Sequence, residues 1–295
     1  MRLDDERESS NFEVQSGRGG GFGGGGLGGG LGMLLPLIGS RFGCGGIVVV
    51  LIILAVMGVN PLTLLSGGGG VAPTQQGAPA TRDPAQLTEI QRWSLRVLGT
   101  TERVWEQIFQ ESGQTYQPTI LSFYTQSGTS GCGAAQSAMG PFYCPTDRKV
   151  YLDTDFFTEL QQRFGAPGDF AQAYVIAHEV GHHVQGLEGT LGEVNRRQRT
   201  VSEAEGNALQ VKVELQADCY AGVWAKRTGL MEPGDLEEGM TAAQAIGDDT
   251  LQKSAGRRPV PESFTHGTGE QRMHWLRRGL STGDPAQCDT FAQAG

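Results

Sequence analysis

The sequence predicts an α+β fold: a mainly helical domain with a small sheet, preceded by a single transmembrane helix. Three observations predict it. No residue between Arg41 and Arg82 is charged, and Ile47 to Leu65 holds only Asn60 and Thr63 as polar residues. Sixteen of the chain's 46 glycines fall within the 30 residues from Gly17 to Gly46. Beyond Arg82, long stretches with apolar residues at three- and four-residue spacing outnumber two short β-branched and aromatic runs.

Each segment follows in order. Residues 1–46 read as a disordered arm, because glycine at that density cannot offset its conformational entropy by burying side chains. Residues 47–65 are 19 positions long, enough to cross a hydrocarbon core as a helix. Pro61 is tolerated there or marks the helix exit. Glycine-rich flanks argue against a buried core helix. A cleaved signal peptide would use Ala78-Pro79-Ala80, but a 46-residue acidic stretch precedes the apolar run. Arg18 and Arg41 precede the span and no Lys or Arg follows within 15 residues. That bias puts the N-terminus inside and the domain outside the cytoplasm. Residues 66–81, rich in Gly, Pro, Gln and Ala, read as a flexible linker. Residues 82–295 are long enough to bury a substantial core.

Within that domain Asp83-Pro84 opens a helix carrying Leu87, Ile90, Leu95, Leu98, Val104, Trp105, Ile108 and Phe109. Gly99 is a candidate interruption and Gly113 a stop. Thr119–Tyr124 and Lys149–Asp153 predict strands, the second a candidate edge for an extended substrate. Asp153 or Thr154 caps a helix through Arg163. Further helices are predicted over 170–187, 201–227, 233–254 and 269–279. The net charge is −9, and there is no basic cluster to bind phosphates. Nucleic acid is therefore excluded as the main ligand.

The chemistry concentrates on two helices. His178-Glu-Val-Gly-His182 places two imidazoles on one helix face, four residues apart, with Glu179 beside the first. Two histidines can ligate one zinc while the carboxylate acts on a bound water. A catalytic zinc needs a third protein ligand and an open position. Gln185 and Glu188 occupy the places where a metzincin would have its Gly and third His. The next candidate is Glu214, with Asp218 four residues on, in Val213-Glu-Leu-Gln-Ala-Asp218. A carboxylate at 214 can ligate, and one at 218 can accept the far N–H of a ligand imidazole, His178 above all. His183 is rotated about 100° from His182 and His274 stands beside Trp275, so both read as bystanders.

These motifs, with Gly140-Pro-Phe-Tyr-Cys-Pro145, Lys149-Val-Tyr-Leu-Asp153 and Ser263-Phe-Thr-His-Gly267, resemble the bacterial neutral zinc metallopeptidases. That family is membrane-anchored, begins with a glycine-rich stretch and has a gluzincin-like pattern. The resemblance implies a zincin-like domain, Zn²⁺ as cofactor, and a peptide or protein substrate. It implies an inner-membrane protein with its catalytic domain extracytoplasmic. Thr265-His266 with Arg272 is similar to a segment of the membrane-associated gluzincins related to CAAX-processing and heat-shock peptidases. There the His and Arg steady the transition state; Gly267 stands here in place of their Pro. On charge grounds His266 joins Glu179 as a catalytic candidate, while Arg272, like Asp218, is placed behind the ligands.

Five cysteines complete the reading. Cys44 sits at the expected membrane entry. The other four allow three pairings. Cys132 and Cys144 bracket a loop they could staple, and Cys219 and Cys288 would then tie the second metal helix to the tail. Cys219 fits a buried free thiol equally well. The whole predicts a zinc endopeptidase in which Glu179 is general base to a zinc-activated water. The competing readings are a non-proteolytic metal-binding envelope scaffold or chaperone, and a zinc amidase.

Overall fold

The computed structural model describes residues 1–15, 81–136 and 140–292. A four-stranded sheet is built from β1 (Phe12–Val14), β2 (Ile120–Tyr124), β5 (Phe142–Cys144) and β6 (Lys149–Asp153), in the order β1-β2-β6-β5. β1–β2 and β2–β6 are parallel, and β5–β6 is antiparallel. A separate hairpin, β3 (Ser127–Ser130) and β4 (Gly133–Gln136), lies between β2 and β5 in the chain. The Cys132–Cys144 disulfide ties that hairpin's turn to β5. β6 is therefore not the edge that its sequence suggests: it is paired on both sides. The outer strand next to it is β5. A continuous apolar run such as Val150-Tyr-Leu152 suits a strand buried on both faces.

The helices are α1 (Glu89–Glu111), α2 (Asp155–Gln162), α3 (Asp169–Glu188), α4 (Thr190–Gln198), α5 (Glu203–Thr228), α6 (Asp235–Ala245), α7 (Asp248–Ser254) and α8 (Gly269–Thr282). Asp83-Pro84 opens only a 3₁₀ turn. The long helix begins after Thr88, which forms a full capping box with Gln91. Gly99 does not interrupt α1. A Cβ there would collide with the carbonyl of Arg7, so the bare Cα gives the N-terminal segment its place. The helix expected over 233–254 breaks at Ile246 and Gly247 into α6 and α7. The core gathers between α1, α3, α5 and the sheet around Trp105, Trp224, Phe170, Tyr174, Phe123 and Leu121, all under 2 % exposed. Trp224 donates its indole N–H to Thr100 at 3.0 Å, which satisfies the one polar atom of a buried ring.

The first residues do not belong to the expected 1–46 arm. Met1, Leu3 and Phe12 are buried, and β1 extends the sheet. The Met1 ammonium meets Asp169 at 2.8 Å, and Glu232 and Asp235 at 3.2 Å. Ser9 and Asn11 donate to the buried carboxylate of Glu102 at 2.5 and 2.8 Å. The reason is compositional. Residues 1–15 contain no glycine, and a single window over 1–46 averages them with the glycine run.

The membrane expectation is corrected as well. Among the described residues no helix is long and apolar enough to cross a membrane. The expected span 47–65, its flanks and Cys44 lie outside the described residues. Residues on both sides of that interval form one compact unit, with β1 paired directly on β2. A single crossing between them would put two hydrogen-bonded strands on opposite faces of a bilayer. The single-pass, inner-membrane reading with an extracytoplasmic domain does not survive that pairing.

Phe12→Ala tests the docking of the N-terminal segment. Removing a buried Phe side chain costs about 3–5 kcal/mol. Urea unfolding should show that loss, whereas a free arm would leave the midpoint unchanged.

Candidate metal centre

α3 is buried nearly all round, so most of the polar side chains on it sit in the interior. His178 and Glu179 are 6 % and 7 % exposed. Its partner α5 starts from a Ser202–Glu205 capping box and carries Glu214 and Asp218, 6 % and 0 % exposed. The two helices touch at Gly181, where a Cβ would stand 3.1 Å from the Cα of Ala217. That close approach puts one turn of α3 level with one turn of α5.

The donor atoms converge. Glu214 Oε2 lies 3.1 Å from His178 Nε2 and 3.4 Å from His182 Nε2. Bonds of about 2.0–2.1 Å in a tetrahedral shell put neighbouring donors roughly 3.3 Å apart. The spacing and the two-nitrogen, one-oxygen donor set therefore fit zinc. Each ligand is also held from behind. His178 Nδ1–H donates to Asp218 Oδ1 at 2.8 Å, His182 Nδ1 meets Gln185 Oε1 at 2.8 Å, and Gln210 donates to Glu214 Oε1 at 2.9 Å.

Asp218 is in turn fully engaged. Arg272 binds both its oxygens at 2.8 Å, through Nε and Nη2, and Tyr174 donates to Oδ1 at 2.6 Å. Arg272 is buried, and its remaining contacts go to Tyr174, the carbonyl of Ile246 and Nδ1 of His178. It lies behind the ligands, bound to Asp218, a pairing that the sequence does not predict. Its Nε and Nη2 are both committed to Asp218.

The electrostatics follow from burial and pairing. Burial pushes Asp218 up, but Arg272 and His178 overcome it and hold the carboxyl at about 2. Burial opposes charge on His178, yet Asp218 and Glu214 raise it to about 10. Burial likewise opposes charge on His182, and Glu214 raises it. Glu214 is pushed up by burial and held well below the usual carboxylate range by His182 and His178. Glu179 runs the other way: burial raises it and the two histidines only partly offset this.

A cleft of about 540 Å³ opens over Glu179 and the three donors. Phe142, Tyr143, Phe156, Val175, Leu191 and Val194 form much of its wall. His266 lies on it too, with half of its side chain exposed. Asp248 fixes this histidine: Oδ2 accepts the backbone N–H groups of Thr265, His266 and Gly267 at 2.7, 2.6 and 3.1 Å, and Oδ1 meets His266 Nδ1 at 3.3 Å. His183 is packed against Tyr116 and Tyr143 and bound to the carbonyl of Gln117 at 2.6 Å, away from the donors. His274 lies edge-on to Trp275. The Cys219–Cys288 bridge closes beside Asp218. The sequence reading missed Tyr174, Gln185, Gln210 and Asp248. The first three stand three or four residues from a ligand on the same helix, the spacing that makes side chains neighbours. Asp248 has no such local signal.

Three outcomes are expected. Zinc must displace the proton on His178, so apparent zinc affinity should rise with pH from 6 to 9 with proton release on binding, measured by titration in two buffers. The metal-free chain behaves oppositely. The His178 contribution to its stability is complete below the ring's ordinary 6.5 and fades as pH rises toward 10. Arg272→Met leaves Asp218 buried without its cation, and a broken buried pair costs about 3–5 kcal/mol, readable in urea unfolding.

The family described as "Putative neutral zinc metallopeptidase" matches residues 1–291. "Uncharacterized protein YpfJ" of Escherichia coli (strain K12) is 46% identical over 297 residues, covering 100% of each chain. "Uncharacterized protein Rv2575" of Mycobacterium tuberculosis (strain ATCC 25618 / H37Rv) is 45% identical over 216 residues, 68% of this chain and 71% of that one. No solved structure matches. With nearly its whole length matched, HExxH and ExxxD segments included, the chain belongs to the family described as "Putative neutral zinc metallopeptidase".

Proposed function

We propose that the protein is a zinc-dependent endopeptidase, with Glu179 as general base. The observation that carries this reading is the placement of Glu179. Its carboxylate is buried on the wall of an open cleft, next to a two-histidine, one-glutamate donor set, and stands outside that set. His178, His182 and Glu214 would hold the zinc. A zinc ion there supplies Lewis acidity to a water and to a substrate carbonyl.

The protein's own residues supply the rest. Burial lifts the Glu179 carboxyl above its ordinary value, which strengthens it as a proton acceptor. It takes a proton from the attacking water and gives it to the leaving amine. His266, steadied at Nδ1 by Asp248, keeps Nε2 for the charge that develops on the carbonyl oxygen. β5 is the strand an extended peptide would add to, with the mostly apolar wall of Phe142, Phe156 and Val175 receiving side chains.

Glu179→Gln should keep its zinc and lose cleavage of an unfolded test protein by about 10²–10⁴-fold. His266→Ala should lower kcat by about 10²–10³-fold, the cost of one oxyanion donor, again with zinc retained. Equal turnover by wild type and Glu179→Gln would remove the proposed chemistry. Absence of turnover in both, on a broad peptide library, would favour the non-proteolytic scaffold.

A further inference from the structure

The two histidine ligands are held by different chemistry. His178 leans on a carboxylate, whereas His182 leans on the side-chain amide of Gln185. An amide offers an acceptor at one end and a donor at the other, so by itself it fixes no proton. The surroundings fix it here. The Gln185 Nε2 faces two acceptors, the carbonyl of Val213 at 2.8 Å and Oε1 of Gln216 at 2.9 Å. Gln216 in turn points its Nε2 at the carbonyl of Cys288, 3.2 Å away. Backbone carbonyls only accept. Reversing either amide would set oxygen against oxygen in the interior, where Gln185 is 0 % and Gln216 7 % exposed. No solvent is there to replace the lost bonds.

We propose that this two-amide relay sets the proton of His182. Polarity runs one way, from the carbonyls of Cys288 and Val213 through Gln216 and Gln185 to Nδ1 of His182. Nδ1 must then carry its hydrogen, and Nε2, the atom facing Glu214, presents its lone pair to the metal. Gln185 and Gln216 are positioning residues that never touch the metal. The Cys219–Cys288 disulfide anchors the far end, because it holds Cys288 against α5, the helix that carries Gln216. The inference rests on the metal-centre reading given above.

The test is zinc affinity, measured on the full chain by competition with a chromophoric chelator, with thermal unfolding of the metal-free protein in parallel. Gln185→Met keeps the bulk of the side chain and removes both amide ends. It should weaken zinc binding by about 10–100-fold, the usual effect of losing a residue that orients a ligand. Gln216→Met should weaken it by a smaller factor. The double variant should bind no more weakly than Gln185→Met alone, because Gln216 acts only through Gln185. Zinc affinity of Gln185→Met within twofold of wild type would overturn the relay, even if the metal-free melting temperature fell. Additive effects in the double variant would overturn it too. Should Gln185→Met fail to fold, Gln216→Met decides: weaker zinc binding supports the relay and unchanged binding overturns it. A wild-type chain that takes up no stoichiometric zinc would instead overturn the metal-centre reading, and the relay with it.

Discussion

The carboxylate of Asp218 has no exposed surface, and a bare charge in that position would cost several kcal/mol. It is stable only because two helices deliver partners to it. α3 brings His178 and Tyr174, α8 brings Arg272, and α5 holds the carboxylate itself. Shifting any of the three by a few tenths of a turn would leave an ion or a phenol unpaired in the interior. The anion therefore fixes the relative heights of the helices, and with them the placement of the donor set. The Arg272 fork contributes most, because its planar geometry accepts only one orientation of the carboxylate.

Around that anion the packing is arranged to bring backbones close. Gly181 lets α3 lie against Ala217 on α5, one turn from Glu214. β1 extends the sheet, and the Met1 ammonium binds Asp169 in the first turn of α3, the helix that bears the histidines. An acidic residue in a first turn already suits the helix dipole, and the ammonium relieves the repulsion from Asp235 and Glu232 nearby. The same helix is thus held at its start by the chain's first residue and in its middle by Asp218.

The parts of the site that were legible in the sequence are those fixed by helical spacing alone. His178 with His182, and Glu214 with Asp218, are each four residues apart, and any helix puts such pairs on one face. Which helix faces met, and at what height, depended on tertiary packing, so the sequence could nominate Glu214 but could not measure its reach. Arg272 was found by resemblance, yet its commitment to Asp218 required the position of α8. Gln185 was read only as the residue whose presence excludes a metzincin third ligand; its role as the partner of His182 was hidden because an amide has no fixed polarity until its neighbours are known. Asp248 was invisible because its ligands are three backbone N–H groups from a loop 17 to 19 residues away. The N-terminal strand was lost for a different reason: a short strand cannot outweigh a glycine run inside the same window.

The contrast between the two histidines has an electrostatic reason. Asp218 and Arg272 cancel, so the support of His178 adds no net charge to the interior. The carboxylates of Glu214 and Glu179 remain, and a doubly charged cation held by His178, His182 and Glu214 would offset their charge. A carboxylate in place of Gln185 would add a third uncompensated negative charge among buried groups, since no described cation contacts that position. It would also face the carbonyl of Val213 and Oε1 of Gln216, two acceptors that a carboxylate cannot satisfy. A neutral amide meets both demands, and it needs the direction imposed by the two backbone carbonyls to do so. The charge balance of the donor set and the one-way polarity of the relay are therefore the same constraint, acting on one side chain.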